Sequence, residues 1–169
     1  MTQQLETQAI QTAVNRGDMY EEQSAKTIRK YTLASAAAGL IPVTGVDILG
    51  SAAAQLFMIK ELAQLYSVNT DDLTQTAVYS AAGSAIAKLG TNLVVSVLPG
   101  EGSNVAGAAV AGIYTATLGE FYKIHFRDGG TLDDVSIADF ANYFVEEVQR
   151  GDINISTFTN PTALLSHLS

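Results

Sequence analysis

Two long stretches of this sequence carry almost no charge, and each is interrupted near its middle by proline and glycine. Between Tyr31 and Ile59 the only ionisable side chains are Tyr31 and Asp47, and between Leu73 and Gly119 the only formal charges are Lys88 and Glu101. The interruptions are Pro42-Val43-Thr44-Gly45 and Pro99-Gly100-Glu101-Gly102. Proline and glycine end a helix, so an apolar run broken in this way folds back on itself. Each stretch therefore predicts a hairpin of two apolar helical arms.

The apolar content is rich in alanine and glycine, which let helix backbones approach closely. Small residues recur four apart, on one helix face, at Ser35 and Gly39, at Gly50 and Ala54, and at Gly83 and Ala87. Such pairs overlap at Gly107 and Ala111, Ala108 and Gly112, Gly112 and Ala116, and Thr115 and Gly119. Gly107, Ala111, Gly112, Ala116 and Gly119 thus form a candidate helix-packing face. A membrane-spanning helix needs about 20 apolar residues, and the arms 31–41, 47–59 and 89–98 fall short. Mean hydropathy is +0.18, low for a multi-span protein and high for an ordinary soluble one. Burial in a protein core, shallow insertion and full spanning all stay open at this level.

Periodicity and caps extend the helical reading along the chain. Residues 3–15 read as a short helix, with Leu5, Ala9, Ile10 and Ala13 at helical spacing and Arg16-Gly17 as its stop. A helix over 19–40 follows. Thr44 and Asp47 cap the next, over 47–66, with Leu49, Ala52, Ala53, Leu56, Ile59, Ala63 and Tyr66 on its apolar stripe and Gln55, Lys60, Glu61 and Gln64 facing out. Further helices are expected from Asp71 to about Leu98, over 104–127 with Asp128-Gly129-Gly130 as terminator, over 136–150 with Ser136 and Asp139 as a capping box, and from Pro161 to Leu168. The expected fold is all-α, a compact bundle around two apolar hairpins with amphipathic flanking helices. The 169 residues read as one domain, with a peripheral helix at 1–18, the hairpin core at 19–150 and a tail at 151–169.

Charge and residue types exclude several functions. Nine Lys and Arg stand against seventeen acids, giving a formal charge of -8, so neither nucleic acid nor electrostatic docking on anionic lipid is expected. No cysteine is present, which removes thiol catalysis and thiolate metal sites. His125 and His167 sit in no ligand pattern, and His125 reads as a last-turn histidine favoured by the helix dipole. No catalytic residue, cofactor site or metal site is expected. Asp47 reads as a helix-start acid, with Pro42, Thr44, Gly45 and Asp47 a candidate functional turn, and Lys88 is the candidate buried charge. Phe121, Tyr122, Phe126, Phe140, Tyr143 and Phe144 are expected to pack where the last helices meet.

The run from Gly39 through Pro42, Thr44 and Gly45 to Asp47, followed by Gln55 to Tyr66, resembles the uncharacterised hydrophobic α-helical domain often attached to Era-like small GTPases. Pro99-Gly100 and Leu118-Gly119 extend the resemblance across residues 27–150. No Gly-x-x-x-x-Gly-Lys-Ser/Thr motif is present, so the resemblance implies a stand-alone form that associates with a membrane or with a separate GTPase partner. Together these readings give a non-enzymatic interaction module in the cytoplasm or at a membrane surface, forming a homo-oligomer or docking on a partner through its small-residue faces. The alternatives are an integral membrane protein inserting both hairpins, and a small-ligand carrier with a cavity of several hundred cubic ångströms.

Overall fold

The computed structural model describes residues 2–39, 46–70 and 103–150. These form four α-helices and no strand: α1 (Thr2–Gly39), α2 (Val46–Leu65), α3 (Ser103–Arg127) and α4 (Ile137–Arg150). The all-α bundle expected from the apolar hairpins is observed. The helices expected within 71–98 and 161–168 lie outside the described residues.

The expected stop at Arg16-Gly17 does not occur. α1 is one helix of 38 residues, about 57 Å long at 1.5 Å per residue. A lone glycine costs a helix about 1 kcal/mol but removes no hydrogen bond. Positive φ is found at Ser67 and Gly129 among the described residues and not at Gly17, so nothing diverts the chain there.

The second half of α1 is the centre of the bundle, and α2 and α3 both run antiparallel to it. Along α2, Ser24 Oγ meets Tyr66 Oη at 3.1 Å, Tyr31 Oη donates to Glu61 at 2.6 Å, and Ser51 Oγ donates to the Ser35 carbonyl at 3.5 Å. Along α3, Thr115 Oγ1 bonds Ser35 Oγ, and Lys123 reaches Glu21 at 3.2 Å. α2 and α3 consequently lie parallel to each other. Ile28, Leu33 and Ala36 of α1, Met58, Ile59, Leu62 and Ala63 of α2, and Ile113, Leu118 and Tyr122 of α3 share one core.

Small residues set the closeness of this packing. A Cβ placed on Gly119 would stand 2.8 Å from Ile28 Cγ1 and 3.0 Å from Met58 Sδ, so α3 can approach both neighbours only with glycine there. Gly50 faces Ala38 similarly, with an added Cβ at 3.1 Å. α4 closes the far side of α3 with its strongly amphipathic face. Phe140 and Phe144 are buried there, and Phe140 meets Tyr114 and Phe121 edge-on at 5.5 and 5.4 Å. Tyr122, Phe126, Phe140 and Phe144 are buried, while Phe121 and Tyr143 are half-buried, which places the aromatic group where α3 and α4 meet.

Both long helices that end within the described residues use the same stop. After α3, the Gly130 amide donates to the His125 carbonyl and the Gly129 amide to that of Phe126, with Gly129 at φ +91°. After α2, Val68 donates to Ala63 and Ser67 to Gln64, with Ser67 itself at φ +60°. These bonds satisfy the last carbonyls of each helix. At the second stop Val68 packs against the core behind the turn.

Candidate functional site

The stripe read along α2 is displaced in the structure. Gln55, expected to face out, is buried, whereas Ala53, expected inside, is exposed. α2 is apolar around most of its circumference, and it packs against α1 on one side and α3 on another. Hydrophobic periodicity alone therefore leaves its rotation undetermined. The rotation observed brings Gln55 inside to form a polar chain through the centre of the bundle. Gln55 Nε2 donates to Thr115 Oγ1 at 3.2 Å, Thr115 Oγ1 to Ser35 Oγ at 2.8 Å, and Ser35 Oγ to the Ala111 carbonyl at 3.4 Å. Each helix of the core contributes one side chain, and every donor in the series points the same way. Among apolar surfaces that could slide past one another, such a chain fixes the register, because a shift of one turn would leave buried polar groups unpaired.

A second polar group joins α1 and α2 at the surface. Lys30 Nζ and Tyr31 Oη both donate to Glu61 Oε1, at 2.8 and 2.6 Å. Partial burial pushes the Glu61 carboxyl up, but the bonds from Lys30 and Tyr31 outweigh it and hold the group below its ordinary value. Tyr114 is the opposite case. Its hydroxyl is buried with no hydrogen-bond partner among the described residues, and burial raises the phenol well above its usual range.

Of the residues singled out from sequence, Pro42, Thr44, Gly45 and Lys88 lie outside the described residues. Asp47 falls in the first turn of α2 and Gly107 in the first turns of α3. Gly112 and Gly119 are buried, Ala111 and Ala116 half-buried. Gly119 packs against the chain's own Ile28 and Met58, so at that point the small-residue face is occupied within one molecule. His125 lies in the last turn of α3, as expected.

The pairing of His125 was not legible. Its Nε2 lies 2.9 Å from the Thr131 carbonyl and 2.7 Å from Asp134 Oδ1, which also accepts from the Thr131 amide at 2.8 Å. That amide, with His125 adding to it, holds the Asp134 carboxyl below its ordinary value. The spacing of nine residues across a glycine turn corresponds to no recurrent motif, and only the glycines hinted at the return of the chain. An open cleft of about 480 Å³ lies here, lined by Phe121, Ile124, His125, Asp128, Gly129, Gly130, Asp134 and Tyr143. Gly130 touches the imidazole so closely that any side chain there would displace it. No group of three or more metal-binding side chains occurs among the described residues.

A further exposed feature is the first half of α1. α2 ends opposite Ser24, and α3 ends opposite Glu21, so α1 continues past both of its neighbours. Residues 7–19 are all exposed, with Ile10 at 65% and Val14 at 50%. Among the described residues, no helix is long and apolar enough to cross a membrane.

Fold and packing define an all-α domain whose buried side chains serve helix association. The chain belongs to the family described as "Domain of unknown function (DUF697)", whose model matches residues 3–150. It is also similar to "Magnetosome membrane protein 22" of Magnetospirillum gryphiswaldense, 29% identical over 133 residues, covering 73% of this chain and 68% of that protein. No solved structure matches the chain.

Proposed function

We propose that this chain is a non-enzymatic assembly module working at a membrane, and that copies of it associate through the projecting half of α1. The projection carries the reading. Ile10 and Val14 lie one turn apart on it, both exposed, in line with Ser24, Ile28 and Ser35 of the buried face. The bundle-facing side of α1 thus continues past the end of the bundle with Ile10 and Val14 exposed on it, where a second copy of the same helix is a self-complementary cover. The membrane part of the proposal draws on the relative, which is named as a magnetosome membrane protein. With a formal charge of -8, attachment would be through apolar contact rather than attraction to anionic headgroups. A separate GTPase is a candidate partner only through the resemblance of residues 39–66.

Light scattering coupled to size-exclusion chromatography of detergent-free protein tests the assembly reading. A multiple of the chain mass is expected, reduced to one chain mass in the double variant Ile10→Ser, Val14→Ser with its helical signal retained. An unchanged multiple in that variant removes α1 as the interface. Fractionation of cell membranes tests the rest: protein released by mild detergent and retained through a high-salt wash is expected, and protein wholly in the soluble fraction would overturn the membrane part.

A further inference from the structure

From the cleft at the C-terminal end of α3, we infer a receptor for one basic side chain, an arginine, on a partner protein. The cleft shares no residue with the projecting half of α1. Its walls are aromatic and aliphatic: Phe121, Tyr143 and Ile124, with the Phe121 and Tyr143 rings 5.7 Å apart and the His125 ring parallel to that of Phe121. Its rim holds two carboxylates whose side chains are mostly open to solvent, Asp128 at 63% and Asp134 at 56%.

This combination selects among ligands. An anion is disfavoured by both carboxylates. A neutral apolar ligand would make no use of Asp134, whose carboxylate accepts from the Thr131 amide and pairs with His125 at the rim. A guanidinium satisfies both halves of the site, since its faces stack on aromatic rings and its edge donates to carboxylates. The volume, about 480 Å³, admits the guanidinium and its aliphatic stem. Arg127 already bonds Asp128 from the adjoining position at 3.1 Å, so Asp134 contributes most of the charge the ligand meets. Glycine at 129 and 130 keeps the entrance free of side chains, and at 130 it also leaves His125 in place to hold Asp134.

The test is an amide chemical-shift titration of the full chain at pH 8 with three probes: N-acetyl-arginine amide, its neutral isostere N-acetyl-citrulline amide, and calcium ion. Saturable shifts at Phe121, Gly129, Gly130 and Asp134 with the arginine probe are expected, with affinity at least about fivefold weaker for citrulline and about fivefold weaker in Asp134→Asn. Asparagine retains the oxygen that accepts from Thr131, so the turn is preserved. Should that variant nevertheless unfold, the citrulline comparison decides. Equal binding of arginine and citrulline, no saturable shift with arginine, or shifts of these residues with calcium alone would each overturn the inference.

Discussion

Gly119 shows how much one absent methyl group decides. An alanine Cβ would lie within 3.0 Å of side-chain atoms from two different helices, so no single rotamer change relieves both contacts. Gly119→Ala should lower stability by about 1–3 kcal/mol, the usual cost of overpacking a filled core, even though alanine is the better helix former. Urea unfolding followed by circular dichroism reads the change, and a variant more stable than the parent would show that α3 is free to move away from α1. Tyr114 makes the converse case. Its hydroxyl is buried without a partner among the described residues, so removing it takes away a desolvated polar group while the ring keeps its contacts with Phe140 and Phe144. Tyr114→Phe should therefore be neutral or stabilising by up to about 1 kcal/mol. A loss of more than that in the same unfolding measurement would mean the hydroxyl has a bond to the remainder of the chain.

At the scale of the element, α1 and α2 are joined by one titratable clamp whose effect has a definite sign. Glu61 has its carboxyl held below the ordinary 4.5 by Lys30 and Tyr31 despite partial burial. A carboxylate depressed in the folded state contributes stability that is complete above its unfolded value and lost as pH falls through the folded value. The difference in melting temperature between the protein and Glu61→Gln should thus be largest near neutral pH and shrink as pH falls through and below the ordinary carboxylate range. A difference constant across that range would remove the clamp from the acid response. The helices themselves were mostly readable: capping residues and turn glycines placed α2, α3 and α4 to within a residue at each end. Two things were not readable. Gly17 does not end a helix, because a stop needs a left-handed residue and bonds such as those at Gly129, not glycine alone. The polarity of Gln55 does not mark the exposed side of α2, because Gln55 is inside with its donor satisfied by Thr115.

For the whole molecule, the charge-free stretches revealed that helices pack closely, and the buried Ser35, Ala36, Ala109 and Gly119 show it. What they could not reveal is which small-residue faces meet within the chain and which face outward, since both uses ask for the same residues. That division depends on where neighbouring helices end, a property of the assembled bundle. It leads to a prediction about the projecting half of α1. Both neighbours stop near its residue 20, so deleting residues 2–17 removes helix but hardly any of the described core. The shortened chain should lose the helical circular dichroism of about 16 residues, keep its melting temperature to within about 3 °C when compared as a monomer, and elute with the mass of one chain. A collapse in melting temperature would mean that the segment is covered inside the molecule and is part of its core. A shortened chain that still assembled would move the interface onto the bundle itself, where Phe57 on α2, 55% exposed, is the largest exposed apolar side chain among the described residues.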